Sequence, residues 1–389
     1  MTLNSLRPSL LIAAMVAVQA GYPQNRVTLT DDAYHLKYWE PSPYNAAYTE
    51  WWYFNLYDTK NDIQAIFSYQ LVNRLNLITP GLSYVAAVVY KGDQFIPAVD
   101  LYPAVLFNAS YSAANVSVGL NTISILDKNH YAISGASTDG RLSWKLNYQR
   151  QAPSWFAADH ANVGPFDWEQ MSWLLYMPRA DVRGTLTIDG QSYTIESSGY
   201  HDHNWGEWVF QTVNWNWAQY SEPGLTFGLG DFIGDPSGRA SLDLWGKRVV
   251  FSANEYKLVH TKWAFDPATN LPYPTQSVFT AQKDDLTVRI VMDVQKSAPL
   301  TAGPPPALVI FEQPTHFEGE ITLHYNWLRS RYPSQVTVSR NTQPLRPAHR
   351  SGRSAQRWRE ILFRDKGLLD DGTIASDSVA KLRSEALLG

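Results

Sequence analysis

The sequence predicts an all-β protein, because strand-like stretches and turn signals alternate along most of the chain. Short stretches rich in β-branched and aromatic residues recur between polar turns, which is typical of sandwiches and barrels rather than of strand–helix units. Helical periodicity is confined to 355–363 and 376–388, so only a few short helices are expected, one of them near the C-terminus. The predicted strands are 51–57, 64–71, 84–90, 143–148, 184–188, 227–232, 277–281, 286–294 and 321–325.

Turn residues separate these strands. Asp189 and Gly190 lie between two alternating apolar stretches, and both residues tolerate a positive φ, so they predict a tight hairpin. The segment 298–306 holds four prolines, which lack the N–H group that a strand ladder needs. We therefore expect a loop or a sheet edge in that segment.

The chain length allows two domains. Its 389 residues are enough for two separate cores, and turn signals between Ser221 and Phe251 favour domains at 21–235 and 236–389. Aromatic residues make up 13% of the chain, more than packing requires. Most of them are expected in the β core, and the others suit the wall of an apolar ligand site.

Residues 1–20 have the pattern of a secretory signal peptide. Arg7 precedes an apolar run at 10–18, and Val18 and Ala20 suit the cleavage site. A buried N-terminal helix is the alternative interpretation. The run is too short to span a bilayer and no other stretch is long enough, so no stable membrane insertion is expected.

Other features of the composition bear on location and chemistry. The sequons at Asn108 and Asn115 are candidate glycosylation sites and fit a secretory or extracellular location. The chain has no cysteine, which excludes disulfides and thiolate catalysis. The net charge of -4 offers no broad attraction for phosphate backbones, so nucleic acid is not an expected partner, and the arginine-rich stretch near the C-terminus is interpreted as solvated surface. No phosphate loop, nucleophile elbow or zincin motif is present.

Polar and aromatic residues are densest around a His-Asp-His triplet. If this stretch is a strand, alternation places His201, His203 and Trp205 on one face. Asp202 and Asn204 then lie on the opposite face. Two imidazoles and an indole would line one wall, where an acid and a base could act on a bound molecule.

Three interpretations of this cluster stay open. Its side chains could satisfy backbone groups in a hydrogen-bonded corner. They could instead line a ligand pocket or exchange protons with a substrate. A third interpretation is a metal site on the two imidazoles, which would need a third ligand from elsewhere. Histidines without a clear spacing for that role are His160, His260, His316 and His324.

Two further stretches, 50–55 and 215–220, are rich in aromatic residues. The first has aromatic side chains on both faces, so one side can be core and the other a cavity wall. In the second, Trp215, Trp217 and Gln219 share a face. Alternation in the first stretch groups Glu50, Trp52 and Phe54 against Trp51, Tyr53 and Asn55.

Two of these motifs together resemble a known superfamily. Glu50-Trp51-Trp52-Tyr53-Phe54, followed about 150 residues later by His201-Asp202-His203-Asn204-Trp205-Gly206, is similar to the paired signature of the lipocalin-like superfamily of carotenoid 1,2-hydratases and fungal Diels–Alderases. The resemblance covers the first 250 residues. Within the superfamily the chain most resembles the fungal hetero-Diels–Alderases of tropolone–sesquiterpene biosynthesis.

The resemblance implies two tandem lipocalin-like β-barrel or β-sandwich domains, a hydrophobic small molecule as partner, and neither a metal nor a cofactor. The implied activity is a (hetero-)Diels–Alder cycloaddition in fungal secondary metabolism, joining a reactive tropolonic quinone methide to a terpene alkene such as humulene. The alternatives are an isoprenoid or carotenoid hydratase or cyclase, with Asp202 as proton donor, and a secreted carrier of hydrophobic ligands. Candidate catalytic residues are His201, Asp202 and His203, and candidate substrate-binding residues are Glu50, Trp51, Tyr53, Tyr69, Trp205, Trp215 and Trp217.

Overall fold

The computed structural model confirms the predicted all-β fold. Strands alternate with short turns, and the helical pieces in the described part of the chain are single 3-10 turns such as Leu29–Asp32 and Ala104–Leu106. Residues described are 27–36, 47–72, 81–164, 166, 168–208, 213–233, 237–302, 308–325, 334–339 and 382–388.

The larger of two compact units comprises the described residues up to 250 together with 298–312. Twelve strands form its main sheet, in the order β4-β3-β2-β1-β12-β11-β9-β8-β7-β6-β5 with β10 beside β11. Contacts between β3 and β6 bring the two ends of this order together, so the sheet is nearly closed into a barrel. These strands are β1 (Tyr48–Asp58), β2 (Ile63–Val72), β3 (Leu82–Lys91), β4 (Gln94–Pro103), β5 (Phe107–Ala109), β6 (Val116–Val118), β7 (Asn121–Asp127), β8 (His130–Ala136), β9 (Leu142–Arg150), β10 (Trp155–Asn162), β11 (Gln170–Ile188) and β12 (Gln191–Glu207).

A second layer of the larger unit packs on the outer face of β11 and β12. It is the antiparallel ribbon of β13 (Trp215–Glu222), β14 (Leu225–Phe232), β15 (Arg239–Leu244) and β16 (Lys247–Ser252), of which the last two residues belong to the smaller unit. Gly230 in β14 has no side chain, and a Cβ atom built there would lie 2.5 Å from the indole of Trp173. The glycine therefore allows the ribbon backbone to approach this buried ring closely.

The smaller unit comprises the described residues of 251–297 and 313–388. Its strands are β17 (Tyr256–Phe265), β18 (Pro272–Lys283), β19 (Leu286–Val294), β21 (Leu308–Tyr325), β22 (Ser334–Ser339) and β23 (Leu382–Leu388). Strand β20 (Ala298–Ala302), which lies between β19 and β21 in the chain, belongs to the larger unit. Strand β21 contributes 308–312 to the larger unit and the rest of its length to the smaller one. There it pairs in antiparallel fashion with β19, β22 and β23.

Two turn predictions can be compared with the backbone. Asp189 and Gly190 join β11 to β12 with φ values of 47° and 81°, which confirms the predicted hairpin. In the proline-rich segment, Ala298–Ala302 forms a short edge strand that pairs only with β21 among the described strands. This position suits Pro299, because an edge residue does not have to donate on both sides.

The helix predicted at 376–388 is wrong over its described part. Residues Leu382–Leu388 form strand β23 and pair with Gln313–Gly319 of β21. Backbone hydrogen bonds to a neighbouring strand replace the internal bonds of a helix, and tertiary pairing of this kind overrides local periodicity. The other helix prediction, at 355–363, the arginine-rich stretch and the signal-like residues 1–20 lie outside the described residues.

Among the described residues no helix is long and apolar enough to cross a membrane. Both sequon asparagines lie at the surface of the barrel. Asn108 is exposed in β5, and Asn115 is exposed just before β6. Glycosylation at these positions stays a prediction.

Candidate functional site

The candidate site is built on the C-terminal half of β12. This strand lies between β1 and β11, and in the register with β1 Trp52 lies opposite His203 while Tyr53 lies opposite Asp202. Cross-strand partners point to the same side of a sheet. The predicted alternation is therefore confirmed, and the motif presents two chemically different faces.

One face carries a buried group of charged side chains, which we term the imidazole cluster. Its central residue is His203, whose Nε2 lies 2.9 Å from Oε1 of Glu50 and whose Nδ1 lies 3.2 Å from Oδ1 of Asp32. The second imidazole, His201, places Nε2 3.0 Å from Oδ2 of Asp32. The cluster consists of Asp32, His35, Glu50, His201 and His203.

The segment that precedes β1 supplies two members of this cluster. The backbone N–H of His35 donates to Oε1 of Glu50 at 3.0 Å, and its ring Nδ1 lies 3.3 Å from the same oxygen. The indole N–H of Trp52 donates to the backbone carbonyl of Asp32 at 2.9 Å. These contacts fasten the segment 27–36 to β1 and β12.

Neighbouring phenols complete the hydrogen bonding of the carboxylates. The hydroxyl of Tyr48 donates to Oε2 of Glu50 at 2.5 Å, and the hydroxyl of Tyr131 donates to Oδ2 of Asp32 at 2.7 Å. Each carboxylate is fully buried and accepts several hydrogen bonds. Such extensive pairing is what makes a buried charge tolerable.

Aromatic rings stack directly on the imidazoles. Phe54 lies on His201 with ring centroids 3.9 Å apart and planes 1° from parallel, and Trp205 lies on His35 at 3.8 Å and 5°. Trp52 stacks on His203 at 4.4 Å. The rings hold the imidazoles in fixed orientations and exclude bulk water from them.

The pKa values of the imidazole cluster reflect this pairing. Burial opposes ionisation of Asp32 and of Glu50, but the charges and hydrogen bonds of the histidines outweigh it, so both pKa values lie below their ordinary ranges. Burial lowers the pKa of His203, yet its contacts with Asp32 and Glu50 raise it above the ordinary value of 6.5. The cluster is thus an ion-pair network of carboxylates and imidazole.

The opposite face of β12 carries the carboxyl group of Asp202. Its Oδ2 accepts hydrogen bonds from the indole N–H of Trp173 at 2.8 Å and from the hydroxyl of Tyr200 at 2.7 Å. Burial raises its pKa to about 6, although these two hydrogen bonds act in the other direction. No positively charged group pairs with Asp202 among the described residues of this face.

A second acid of this face is Glu312, at the point where β21 leaves the larger unit. Burial, followed by the nearby charge of Asp202, raises its pKa to about 8. Its backbone carbonyl accepts a hydrogen bond from the hydroxyl of Tyr90 at 2.8 Å, which fixes the chain at this residue. Two enclosed carboxyl groups that disfavour ionisation therefore share one side of the sheet.

Several polar groups beside these acids have no hydrogen bond within the described part of the chain. They are the hydroxyl of Tyr53, the indole N–H of Trp217 and Oε2 of Glu312, all enclosed, and the Trp217 indole lies near the Tyr200 hydroxyl without the geometry of a hydrogen bond. The Asn55 amide lies near the Tyr53 hydroxyl without the geometry of a hydrogen bond. Enclosed polar groups normally have partners, so groups without one indicate a place for a ligand or water.

Aromatic rings surround these groups. Trp217 contacts Tyr53 and Tyr200 edge to face, with centroids 5.4 and 5.6 Å apart. Trp51, Tyr53, Trp215 and Trp217 are only partly buried although they pack against this core. We term the group the carboxyl cluster, and its members are Tyr53, Trp173, Tyr200, Asp202, Trp217 and Glu312.

The structure divides the predicted site residues between the two faces. Trp51, Tyr53, Trp215 and Trp217 lie on the side of Asp202, whereas Glu50 and Trp205 lie with His201 and His203. Tyr69 belongs to the barrel core, and its hydroxyl oxygen accepts a hydrogen bond from the indole N–H of Trp144 at 2.9 Å. His201, His203 and Trp205 thus share one face, as the alternation predicted, whereas the candidate substrate-binding residues are distributed over both faces and the barrel core.

Some site residues were missed by the sequence analysis. Asp32 and His35 precede β1 in a segment without a strand pattern, and Glu312 carries only the weak signal of an acid that follows four apolar residues. A separate cavity of about 430 Å³ contains none of the predicted residues. Its lining is Ala157, Ala158, Asp159, Ala161, Asn162, Ser237 and Arg239.

Comparisons with known proteins agree with the fold. No protein-family model matches the sequence, and no curated protein is similar to it in sequence. The candidate AttH protein NE1406 from Nitrosomonas europaea superimposes with a TM-score of 0.61 at 11% identity, covering 95% of this chain and 98% of that chain. Kievitone hydratase from Nectria haematococca gives a TM-score of 0.52 at 14% identity, covering 75% and 88%.

A structure of CghA with Sch210972 gives a TM-score of 0.45 at 11% identity over 72% of this chain and 84% of that chain, which is too low to carry an argument. At the identities of NE1406 and kievitone hydratase the likeness shows the fold alone. This chain has the all-β, lipocalin-like fold that the paired motifs predicted.

Proposed function

We propose that this protein is an enzyme that transforms a hydrophobic organic substrate at the carboxyl cluster, by acid-assisted loss of water followed by cycloaddition. The observation that carries the proposal is the enclosed Asp202, whose pKa is raised to about 6 beside partly exposed aromatic rings. A general acid works best when its pKa lies near the operating pH. The aromatic rings supply a surface for an apolar substrate.

The proposed first step generates a heterodiene from a hydroxymethyl tropolone. The protonated carboxyl of Asp202 gives its proton to the hydroxymethyl oxygen, the C–O bond breaks, and water leaves with the bonding electrons. The ring hydroxyl of the substrate then returns a proton to the carboxylate. The net change is the loss of one water molecule, and the product is a quinone methide.

The second step joins this heterodiene to an alkene such as humulene. One C–C and one C–O bond form together, so no proton has to move and no nucleophile is needed. The rings of Tyr53 and Trp217 would hold the two partners, and their O–H and N–H groups are available to polarise the heterodiene oxygen. Orientation of this kind supplies about 7–11 kcal/mol in favourable cases.

His201 and His203, which were also candidate catalytic residues, have a different part in this proposal. Both rings are fully buried, are paired with carboxylates and are covered by stacked aromatic rings on the other face of β12. The proposal therefore assigns proton transfer to Asp202 and a supporting role to the two imidazoles.

The test is turnover of a defined pair of reactants. Purified protein, before and after treatment with a chelator, is incubated with a hydroxymethyl tropolone and humulene, and the products are separated by chiral chromatography. We expect one stereoisomer, formed faster than in buffer. Equal rates and a mixture of stereoisomers would exclude the proposal, and if the protein then still bound the alkene, it would be classed as a secreted carrier.

Hydration of an isoprenoid double bond is the second candidate, because it needs the same buried proton donor. The shared fold with kievitone hydratase supports it, as does the raised pKa of Asp202. In deuterium oxide a hydratase places deuterium on carbon, whereas cycloaddition of preformed partners does not. Mass spectrometry of the product decides between the two reactions.

A further inference from the structure

The imidazole cluster takes no part in the proposed proton transfer, yet three of its members, two imidazoles and one carboxylate, lie close together in one buried group. We propose that His35, Glu50 and His203 bind a single divalent transition-metal ion, of which zinc is the best match. The ion would have a structural role, joining the segment 27–36 to strands β1 and β12. This inference is independent of the proposed function.

The spacing of the three side chains suits one ion. Oε1 of Glu50 lies 2.9 Å from Nε2 of His203 and 3.3 Å from Nδ1 of His35, and all three donor atoms lie within 4.8 Å of one another. Zinc binds imidazole nitrogen and carboxylate oxygen at about 2.0–2.2 Å, which in a tetrahedral arrangement places ligand atoms about 3.3 Å apart. The two separations that involve Glu50 are thus already close to the required value.

A second feature that suits a metal ligand is the carboxylate next to the other ring nitrogen of His203. This nitrogen, Nδ1, lies 3.2 Å from Oδ1 of Asp32, and neither atom has a well-aligned hydrogen bond. Histidines that bind metals commonly turn their second nitrogen to a carboxylate, which fixes the ring and increases its basicity. Asp32 is itself held in place by His201 and by the hydroxyl of Tyr131.

The charge of the cluster favours a cation. Asp32 and Glu50 are both fully buried, and within the described part of the chain neither pairs with a lysine or an arginine. A divalent cation bound between Glu50 and the imidazole nitrogens would therefore place positive charge next to two buried carboxylates. Imidazole and carboxylate ligands together also favour zinc and its neighbours over calcium or magnesium, which prefer all-oxygen sites.

The experiment uses the whole chain. Purified protein is stripped with a chelator, dialysed against zinc, and analysed by inductively coupled plasma mass spectrometry and by thermal unfolding. We expect one zinc ion per chain and a rise in Tm of about 5 °C or more at saturating metal. Cobalt in place of zinc should give the visible absorption bands of a four-coordinate site.

Two variants locate the ion. His35→Ala and Glu50→Gln should lose stoichiometric binding, and the matched control His130→Ala should keep it, because His130 is a partly exposed histidine paired with Asp127 outside the cluster. Absence of zinc and of any cobalt spectrum in the wild-type protein would overturn the proposal. Equal zinc uptake by folded His35→Ala would overturn it as well, and the wild-type cobalt spectrum gives an answer even if a variant fails to fold.

Discussion

The two faces of β12 place acidic groups in opposite electrostatic situations. On the face of the imidazole cluster, the pKa values of Asp32 and Glu50 are lowered because the charges and hydrogen bonds of the imidazoles outweigh the effect of burial. On the face of the carboxyl cluster, Asp202 and Glu312 have raised pKa values because burial is not balanced by a cation. Burial alone therefore does not decide the role of an acid. The charged and hydrogen-bonding groups on the same side of the sheet decide it.

This difference separates a structural group from a reactive one. A network in which every charge is paired does not have to exchange protons or partners when substrate binds, and it stabilises the position of the strands. An acid that is enclosed but lacks a cationic partner can donate its proton to a substrate at moderate pH. Strand β12 thus carries a structural group on one face and a candidate proton donor on the other.

The strongest test of this comparison is Asp202→Asn. The amide oxygen can still accept from Trp173 and Tyr200, so folding should be retained while the transferable proton is lost. We expect kcat to fall about 10²- to 10⁴-fold, measured by product formation under single-turnover conditions. The control is Glu196→Gln, an exposed acid on the same strand. Wild-type activity in Asp202→Asn would contradict the assignment.

On the other face, Glu50→Ala should act on stability. The substitution leaves His203 without one carboxylate partner and removes the acceptor of the Tyr48 hydroxyl. We expect the free energy of unfolding to fall by about 3–5 kcal/mol, measured by urea denaturation in the presence of a chelator. The control Arg141→Ala breaks an ion pair exposed at the surface and should leave the free energy of unfolding nearly unchanged. Equal losses in both variants would refute the structural role.

The pH dependence sharpens the comparison further. Asp202 is the active acid only when protonated, and its pKa is about 6, so the rate should fall as the pH rises above that value. Each further pH unit should reduce kcat about tenfold while Asp202 is the sole proton donor. The measurement is kcat between pH 5 and 8 at saturating substrate. The decline should be absent from the residual activity of Asp202→Asn, and a decline that persisted there would belong to another group.

The smallest expected effects come from one phenol on each face. Tyr131→Phe removes a hydrogen bond to the ionised Asp32 and should destabilise the protein by about 1.5–3 kcal/mol. Tyr53→Phe removes a hydroxyl without a hydrogen-bonded partner among the described residues, so its unfolding free energy should change by less than about 1 kcal/mol. The Tyr53 variant should instead raise KM for the substrate. If both variants affected only stability, the carboxyl cluster would not be a binding surface.

The backbone pattern of the site could be predicted well from the sequence. Period-two alternation placed His203 and Asp202 on opposite faces, and the Asp189-Gly190 turn gave the hairpin that carries them. These features depend on residues that are neighbours in the chain. The C-terminal helix prediction failed because strand β23 pairs with a partner more than sixty residues away in sequence.

The composition of each cluster could not be predicted in the same way. His35 reaches Glu50 from a segment with no strand pattern, and Glu312 reaches the side of Asp202 from the start of a distant strand. Sequence spacing does not predict these contacts between distant residues, because they depend on how the strands are ordered in the sheet. For the same reason the candidate substrate-binding residues Glu50, Tyr69 and Trp217 lie in three different groups of the structure.

The sequence by itself determined the all-β fold and the two-faced character of the His-Asp-His strand, because both follow from local periodicity and turn chemistry. Only the tertiary structure decided which of these acids have a lowered pKa and which have a raised one. The pKa of a buried carboxyl depends on the charges and hydrogen-bond donors that other strands bring to it, and for Asp32 and Asp202 these partners come from different faces of one sheet.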